Sequence, residues 1–220
     1  DRPDFAAVDL GASSGRVIKA TLDGTDLRLE DVHRFPNEPV SVNGTLHWDI
    51  LALYRGVLEG LRRAGPVDSI GIDSWAVDYG LIDGTGALLG NPAHYRDART
   101  TAIWQDVAAT IGEERLYATT GLQQLNFNTL YQLAAAKGTP QLGAARHVLM
   151  IPDLIAYWLT GQIGSEITNA STTQLFDLRK RAWSTELITE IGLDPALFPP
   201  LREPGTVIGR ARELDGEPVV

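Results

Sequence analysis

A chain of 220 residues, 44% apolar and 21% charged, is long enough to bury a core and has the make-up of a globular protein of one or two domains. Its net charge of −9 argues against a general nucleic-acid or anionic-membrane surface, so an anionic ligand has to be met locally by backbone N–H groups, a cation or single arginines. With no cysteine there are no disulfides, thiolate nucleophiles or cysteine metal sites, which fits a reducing cytoplasm, and no apolar run approaches the ~18 residues of a membrane span.

Strand signals open the chain at Ala6–Leu10, Arg16–Leu22 and Arg28–Phe35, with Asp23-Gly24 turning the second into the third. Between the first two lies Asp9-Leu10-Gly11-Ala12-Ser13-Ser14-Gly15-Arg16. Small residues there let backbone N–H groups close on a polyanion, and Asp9 at the strand end is placed to hold a hydrated Mg²⁺ beside it. The loop lacks the Gly-Lys-Ser/Thr of a P-loop and the spacing of Gly-x-Gly-x-x-Gly, and a β-rich run follows it rather than a helix. An ordinary hairpin with a Gly-Ser turn reads the same way at this level.

Val42-Asn43-Gly44-Thr45 is a second hairpin-like turn. A helix follows from Asp49 as N-cap, with Ile50, Tyr54, Val57, Leu58 and Leu61 as its apolar stripe and Gly65-Pro66 as its stop. Ser69–Asp73 then reads as a buried parallel strand reached by this crossover, and Ala76–Ile82 as another strand closed by Asp83-Gly84-Thr85-Gly86. Beyond Pro92 the texture turns helical. Asn128 is suited to cap Thr129–Lys137, Pro152 to open a helix through Leu154–Leu159 to Gly161, and Ser184 to cap Thr185–Ile191. Leu175–Leu178, Val207–Gly209 and Val219-Val220 are short β-like pieces, and Gly192–Pro204 is a Pro-rich connector. The order predicts an α/β fold with a mixed sheet, crossover helices and a helical insertion, of the RNase H-like type; it excludes a doubly wound sheet.

Three segments carry candidate chemistry. Asp73-Ser74-Trp75-Ala76-Val77-Asp78 leaves a strand and turns back, exposing polar groups where such folds bind ligands. Trp75 offers a floor for a sugar face and Ala76 lets backbone approach it, although a core Trp beside two surface carboxylates gives the same pattern. Tyr95-Arg96-Asp97-Ala98-Arg99 has two arginines bracketing an acid, which suits a polyhydroxylated ligand or a surface ion-pair network. Gln123 to Thr129 is rich in amides around Phe127, while Glu166 to Thr173 reads as a structural polar loop. There is no His-Glu-x-x-His pair and no Gly-x-Ser-x-Gly elbow, so neither a metalloprotease nor a hydrolase triad has support.

In this order the pieces resemble the actin, Hsp70 and sugar-kinase nucleotide fold, and specifically the FGGY carbohydrate kinases. The resemblance is carried by Val8–Arg16, His33-Arg34-Phe35, Trp48-Asp49, Ser69–Asp78, Tyr95–Arg99, Phe127–Leu133 and Thr168-Asn169-Ala170. It implies ATP and Mg²⁺ as cofactors and phosphorylation of a ketose, L-rhamnulose, at its 1-hydroxyl. Ala12, Ser13, Ser14, Gly15 and Arg16 would then meet the nucleotide phosphates and Asp9 the Mg²⁺. Trp75, Ala76, Val77, Asp97, Arg99 and Phe127 would shape the sugar site. Family members often carry Gly where this chain has Ala76, a methyl group that crowds the sugar. The family's catalytic Asp follows a strand resembling Glu217-Pro218-Val219-Val220, so the base is expected beyond Val220 and no catalytic residue within 1–220. On this reading residues 1–220 are one FGGY-type N-terminal domain, a fragment inactive by itself whose partner is a C-terminal domain of the same protein. Nothing in the sequence sets Asp73 or Asp78 apart as a substitute base. Other ketose kinases, a non-catalytic sugar- or nucleotide-binding regulator and an actin- or Hsp70-like ATPase share the opening loop.

Overall fold

A computed structural model describes residues 2–220. β1 (Asp4–Leu10), β2 (Ser14–Asp23) and β3 (Asp26–Pro36) form an antiparallel meander, as the three opening strand signals predict. β4 (Val40–Val42) and β5 (Thr45–His47) make a small hairpin about Asn43-Gly44. α1 (Ile50–Ala64) crosses over, its first turn capped by the Asp49 carboxylate, which accepts the Ala52 N–H at 3.2 Å. β6 (Ser69–Ser74) then pairs parallel to β1, so the sheet runs β3-β2-β1-β6. The sheet is mixed and singly crossed, not doubly wound.

The face of α1 that meets the sheet differs from the expected stripe. Ile50, Leu53, Val57 and Leu61 are buried together with Gly56 and Gly60, while Tyr54 and Leu58 pack only at the margin. The glycines are the reason: a Cβ on Gly56 would lie 2.5 Å from the Phe35 ring, and one on Gly60 would run into Val17. Close approach of the helix to β2 and β3 therefore depends on residues that a hydrophobicity pattern does not count. β6 is likewise less covered than expected: Ile70 is buried, but Gly71 and Asp73 are exposed. Val219 extends this edge, its carbonyl accepting the Ile70 N–H at 2.7 Å, whereas Val207–Gly209 forms no strand.

β7 (Tyr79–Ile82) starts three residues later than the sequence suggests, because Trp75 to Asp78 are spent in a turn. α2 (Trp104–Ile111) and α3 (Glu113–Thr120) were not foreseen; neither has a side-chain N-cap, so the usual Ser, Thr or Asp signal is missing. α4 (Thr129–Ala136), α5 (Pro140–Ala144) and β8 (His147–Met150) follow, and β8 pairs antiparallel with β7. α6 (Ile151–Thr160) opens with Pro152 and closes at Gly161 as expected. β9 (Ser165–Glu166) and α7 (Ile167–Ala170) take up the polar loop, with the Glu166 side chain accepting the Thr168 and Asn169 N–H groups. β10 (Phe176–Asp177) pairs with β11 (Ala182–Trp183), and α8 (Thr185–Glu190) is capped by Ser184. The Pro-rich connector holds β12 (Leu201–Arg202), which pairs with β9. Among the described residues one core lies between the sheet, α1 and α6, another around Leu116, Leu130, Tyr131, Leu133 and Leu187 in the helical insertion, and a small third around Ile167, Ala170 and Phe176.

Gly60→Ala is expected to destabilise the protein by roughly 1–3 kcal/mol through overpacking against Val17, measurable by urea unfolding. Asp153, 5% exposed on α6, accepts the Glu166 N–H at 3.0 Å, and burial pushes its carboxyl from 3.8 up to about 7. The folded state thus holds a proton that the unfolded chain has released, and stability falls as pH rises from about 4 to about 7. Asp153→Asn should flatten that decline in thermal melts; an unchanged slope would refute the assignment.

Candidate active site

The loop Gly11-Ala12-Ser13-Ser14 stands at the carboxyl end of β1 with Ala12, Ser13 and Ser14 exposed. Asn37, buried just past β3, holds it from behind. Its side chain donates to the Gly11 carbonyl at 2.8 Å and its N–H to the Ser13 carbonyl at 3.0 Å. Both bonds turn loop carbonyls inward, which suits a loop whose N–H groups serve an anion. Gly15 differs from its neighbours: it is buried, and a Cβ there would collide with Phe35. Its lack of a side chain serves the core as much as the loop.

Arg16 lies directly across from Asp9, and its Nε donates to Asp9 Oδ2 at 2.7 Å. Asp9 is half-exposed, and its register partner on β6 is Asp73. Mg²⁺ commonly takes one or two carboxylates, leaving its other positions to phosphate and water. Asp9, with Asp73 alongside, fits that donor set; among the described residues no cluster of three or more His, Asp or Glu offers a complete cage.

β6 delivers its carboxyl end beside this loop, and the Trp75 N–H donates to the Leu10 carbonyl at 3.2 Å. The chain then makes a three-residue turn: the Asp78 N–H bonds to the Ala76 carbonyl at 2.9 Å, with Val77 between them at φ +65°. A β-branched residue at positive φ is strained, and such strain persists only where surroundings over-determine it. Here the Val77 carbonyl accepts Thr129 Oγ1 at 2.7 Å, and Val77 itself is buried. Val77 is therefore turned away from solvent and shapes the turn from within. Ala76 borders a groove of ≈ 660 Å³ that Asp73 and Ser74 also line.

Trp75 stacks on buried Trp48 with ring centroids 4.0 Å apart, and His94 lies on Trp48's ring at 3.9 Å. Burial holds His94 below its ordinary range, with Arg96 adding to the shift. Tyr95 continues the series to Phe127, centroids 5.8 Å apart. Trp75 and Phe127 thus belong to one aromatic wall. Asp97 is committed to the backbone: its Oδ2 accepts the Leu46 N–H at 2.7 Å and its Oδ1 the Arg99 N–H at 2.9 Å. Arg99 donates through Nη2 to Gln132 Oε1 at 2.9 Å.

Asn37, Trp48, Asp78, Thr129 and Gln132 were not selected from the sequence. Asp78 is fully buried and Asp73 exposed, so the structure separates two acids that the sequence leaves equivalent. Burial pushes the Asp78 carboxyl up to about 6 against the pull of four hydrogen bonds, and it carries its charge at neutral pH. Asn128, expected as a side-chain cap, instead donates to the Gln123 carbonyl and Gln174 Oε1. Removing the strain at Val77 is directly testable. Val77→Gly should be more stable than Val77→Ala by about 1 kcal/mol, although Gly buries less, because only Gly is at ease at this φ. The opposite order in chemical denaturation would show that the positive φ is not retained.

A profile of the N-terminal domain of the FGGY family of carbohydrate kinases matches residues 6–214. The chain is 45% identical to a rhamnulokinase of Pectobacterium carotovorum subsp. carotovorum (strain PC1) over 94% of its own length and 43% of that protein's. It is 43% identical to a rhamnulokinase of Oceanobacillus iheyensis, covering 96% of this chain and 46% of the relative. The chain therefore spans less than half the length of these curated relatives. Among solved structures, a gluconate kinase from Lactobacillus acidophilus superposes with a TM-score of 0.87 at 18% identity, over 100% of this chain and 47% of the other. A glycerol kinase from Plasmodium falciparum, solved with ADP, gives a TM-score of 0.80 at 16% identity, over 100% of this chain and 47% of the other. These two establish the sugar-kinase fold, and the match through residues 6–214 establishes the family. By sequence and by fold, the chain belongs to the FGGY family of carbohydrate kinases.

Proposed function

We propose that this chain is the N-terminal domain of a kinase that transfers the γ-phosphoryl group of ATP to the 1-hydroxyl of L-rhamnulose, giving L-rhamnulose 1-phosphate and ADP. The observation that carries the substrate is the 45% identity to a rhamnulokinase over 94% of the chain, running through the turn and the aromatic wall. The geometry supports the reaction class. The loop at Gly11–Ser14 and the turn at Trp75–Val77 emerge side by side from β1 and β6, so a phosphate held by one faces a sugar held by the other.

Ala12, Ser13 and Ser14 offer backbone N–H groups to the phosphates, with Gly15 and Arg16 following in β2. Asp9 would hold Mg²⁺, which when bound offsets the charge of the phosphates. Trp75 and Phe127 provide apolar ring faces for the sugar, and Ala76 leaves room for its approach. Asp97 fixes the backbone at Leu46 and Arg99, and Arg99 joins the sugar pocket through its bond to Gln132. In the transfer, the sugar oxygen forms a bond to the γ-phosphorus as the bond to the β–γ bridging oxygen breaks, and the hydroxyl proton passes to a base. Asp78 is sealed in the core, and following the family resemblance the base is assigned to a carboxylate outside residues 1–220.

The test compares the full-length kinase with the 220-residue chain, using ATP, Mg²⁺ and a panel of L-rhamnulose, L-fuculose and D-xylulose. Saturable ADP release with the highest kcat/KM for L-rhamnulose is expected from the full-length protein, and none from the chain alone. Sustained rhamnulose-dependent turnover by the chain would overturn the placement of the base. A preference for another ketose would reassign the substrate, and ADP release indifferent to sugar would replace the kinase by an ATPase.

A further inference from the structure

One buried carboxylate has no part in the transfer just described, yet it organises both sides of the acceptor pocket. Asp78 Oδ2 accepts the Trp48 indole N–H at 2.6 Å, the Trp75 indole N–H at 3.1 Å and the Tyr95 backbone N–H at 3.1 Å. Its Oδ1 accepts Gln132 Nε2 at 2.8 Å. Every group that meets this carboxylate is a donor. The surroundings therefore match an ion, and neither a neutral acid nor an amide would satisfy them all.

That polarity is handed on. Gln132 Nε2 also donates to the Phe127 carbonyl at 2.8 Å, so both its N–H bonds point toward acceptors. The amide then has one tolerated orientation, which presents Oε1 to Arg99 Nη2 at 2.9 Å. Reversed, the amide would set its NH₂ against a guanidinium. A buried negative charge and a cation are thus joined through a single amide of fixed sense, with the aromatic wall attached at the negative end.

We infer that Asp78 is the positioning residue of the acceptor pocket, holding Trp75 and Tyr95 directly and setting Arg99 through Gln132. The role toward a sugar rests on the reading of the Trp75–Val77 turn as the sugar site. Asp78 need not touch the substrate: it fixes the side chains that do, and its loss strands several buried donors at once.

The relay makes a swap prediction. Asp78→Asn places an NH₂ against Gln132 Nε2, and Gln132→Glu places a second carboxylate against Asp78; each alone is mismatched. In D78N/Q132E the new amide keeps an oxygen for the two indoles and donates to the new carboxylate, which meets Arg99 directly. The Phe127 carbonyl loses its donor and faces a carboxylate oxygen instead, and the 3.4 Å contact to the Val77 carbonyl goes with it, so recovery is partial. In the full-length kinase each single substitution is expected to raise the ketose KM by about tenfold, with kcat moving less, and the double to return within about threefold of the parent.

Near-ultraviolet circular dichroism from the stacked Trp48–Trp75 pair reads the same cycle without turnover. The singles should lose that signature and the double regain it. If D78N does not fold, recovery of folding in D78N/Q132E is itself the rescue. A double variant no better than the worse single, or singles that leave KM and the tryptophan signature unchanged, overturns the relay. Arg99→Met spares the bonds to Asp78, so it should raise KM while leaving the tryptophan signature intact; an unchanged KM overturns the link to the pocket. A parent kinase that turns over no ketose would overturn the sugar-site reading instead, and the dichroism cycle would still decide the relay.

Discussion

The parallel pairing of β1 with β6 is the constraint on which the rest is arranged. Neighbouring parallel strands must be joined by a crossover, here α1, and both strands then release their chains at the same end of the sheet. Asp9 is set beside Asp73 and Leu10 beside Ser74, although more than sixty residues separate them in sequence. The loop after β1 and the turn after β6 become neighbours, tied by the bond from the Trp75 N–H to the Leu10 carbonyl. A crossover helix can hold this register only if it lies close on β2 and β3, and Gly56 and Gly60 permit that approach. A residue as far from the loop and the turn as Gly60 thus takes part in placing them.

The same sheet end shows how one residue type is given different work by its surroundings. Asp9 and Asp73 stay accessible and keep carboxylate oxygens for solvent or a cation. Asp78 is enclosed by donors and serves as an internal acceptor. Asp153 is buried with one oxygen bonded to the Glu166 N–H and the other without a partner, so burial dominates and its affinity for a proton rises. Asp97 has each oxygen on a backbone N–H and works as a strap between β5 and the segment before Arg99. Charge alone would have ranked these acids alike.

The helical insertion has its own core, and that core reaches the site through α4. Leu130, Tyr131 and Leu133 anchor the helix, while Thr129 and Gln132 project from it to the Val77 carbonyl and to Asp78. The strained turn at Val77 is therefore held from outside the sheet that forms it. Its positive φ is maintained by packing and hydrogen bonds from a separate body of apolar residues, which is the usual condition for strain to survive in a folded protein.

Local chemistry was enough to identify the opening meander, the Gly-Ser loop, the crossover from Asp49 to β6, the helix opened by Pro152 and the helix capped by Ser184, because turns, caps and periodicity act over a few residues. It also drew attention to Asp9, Ser13, Trp75 and Phe127 as candidates, since they lie at segment ends where polar groups and small residues are conspicuous. It was not enough to rank Asp78 above Asp73, to see that Val77 faces inward, or to find Asn37 and Gln132. Those assignments depend on partners 26 to 54 positions away, as with Asn37 on Gly11 and Gln132 on Asp78. Sequence alone determined which acids, amides, hydroxyls and aromatic rings stand at the ends of these segments. Only tertiary structure decided which of them stay accessible, because burial and long-range hydrogen bonds settle whether a side chain faces solvent or holds another in place.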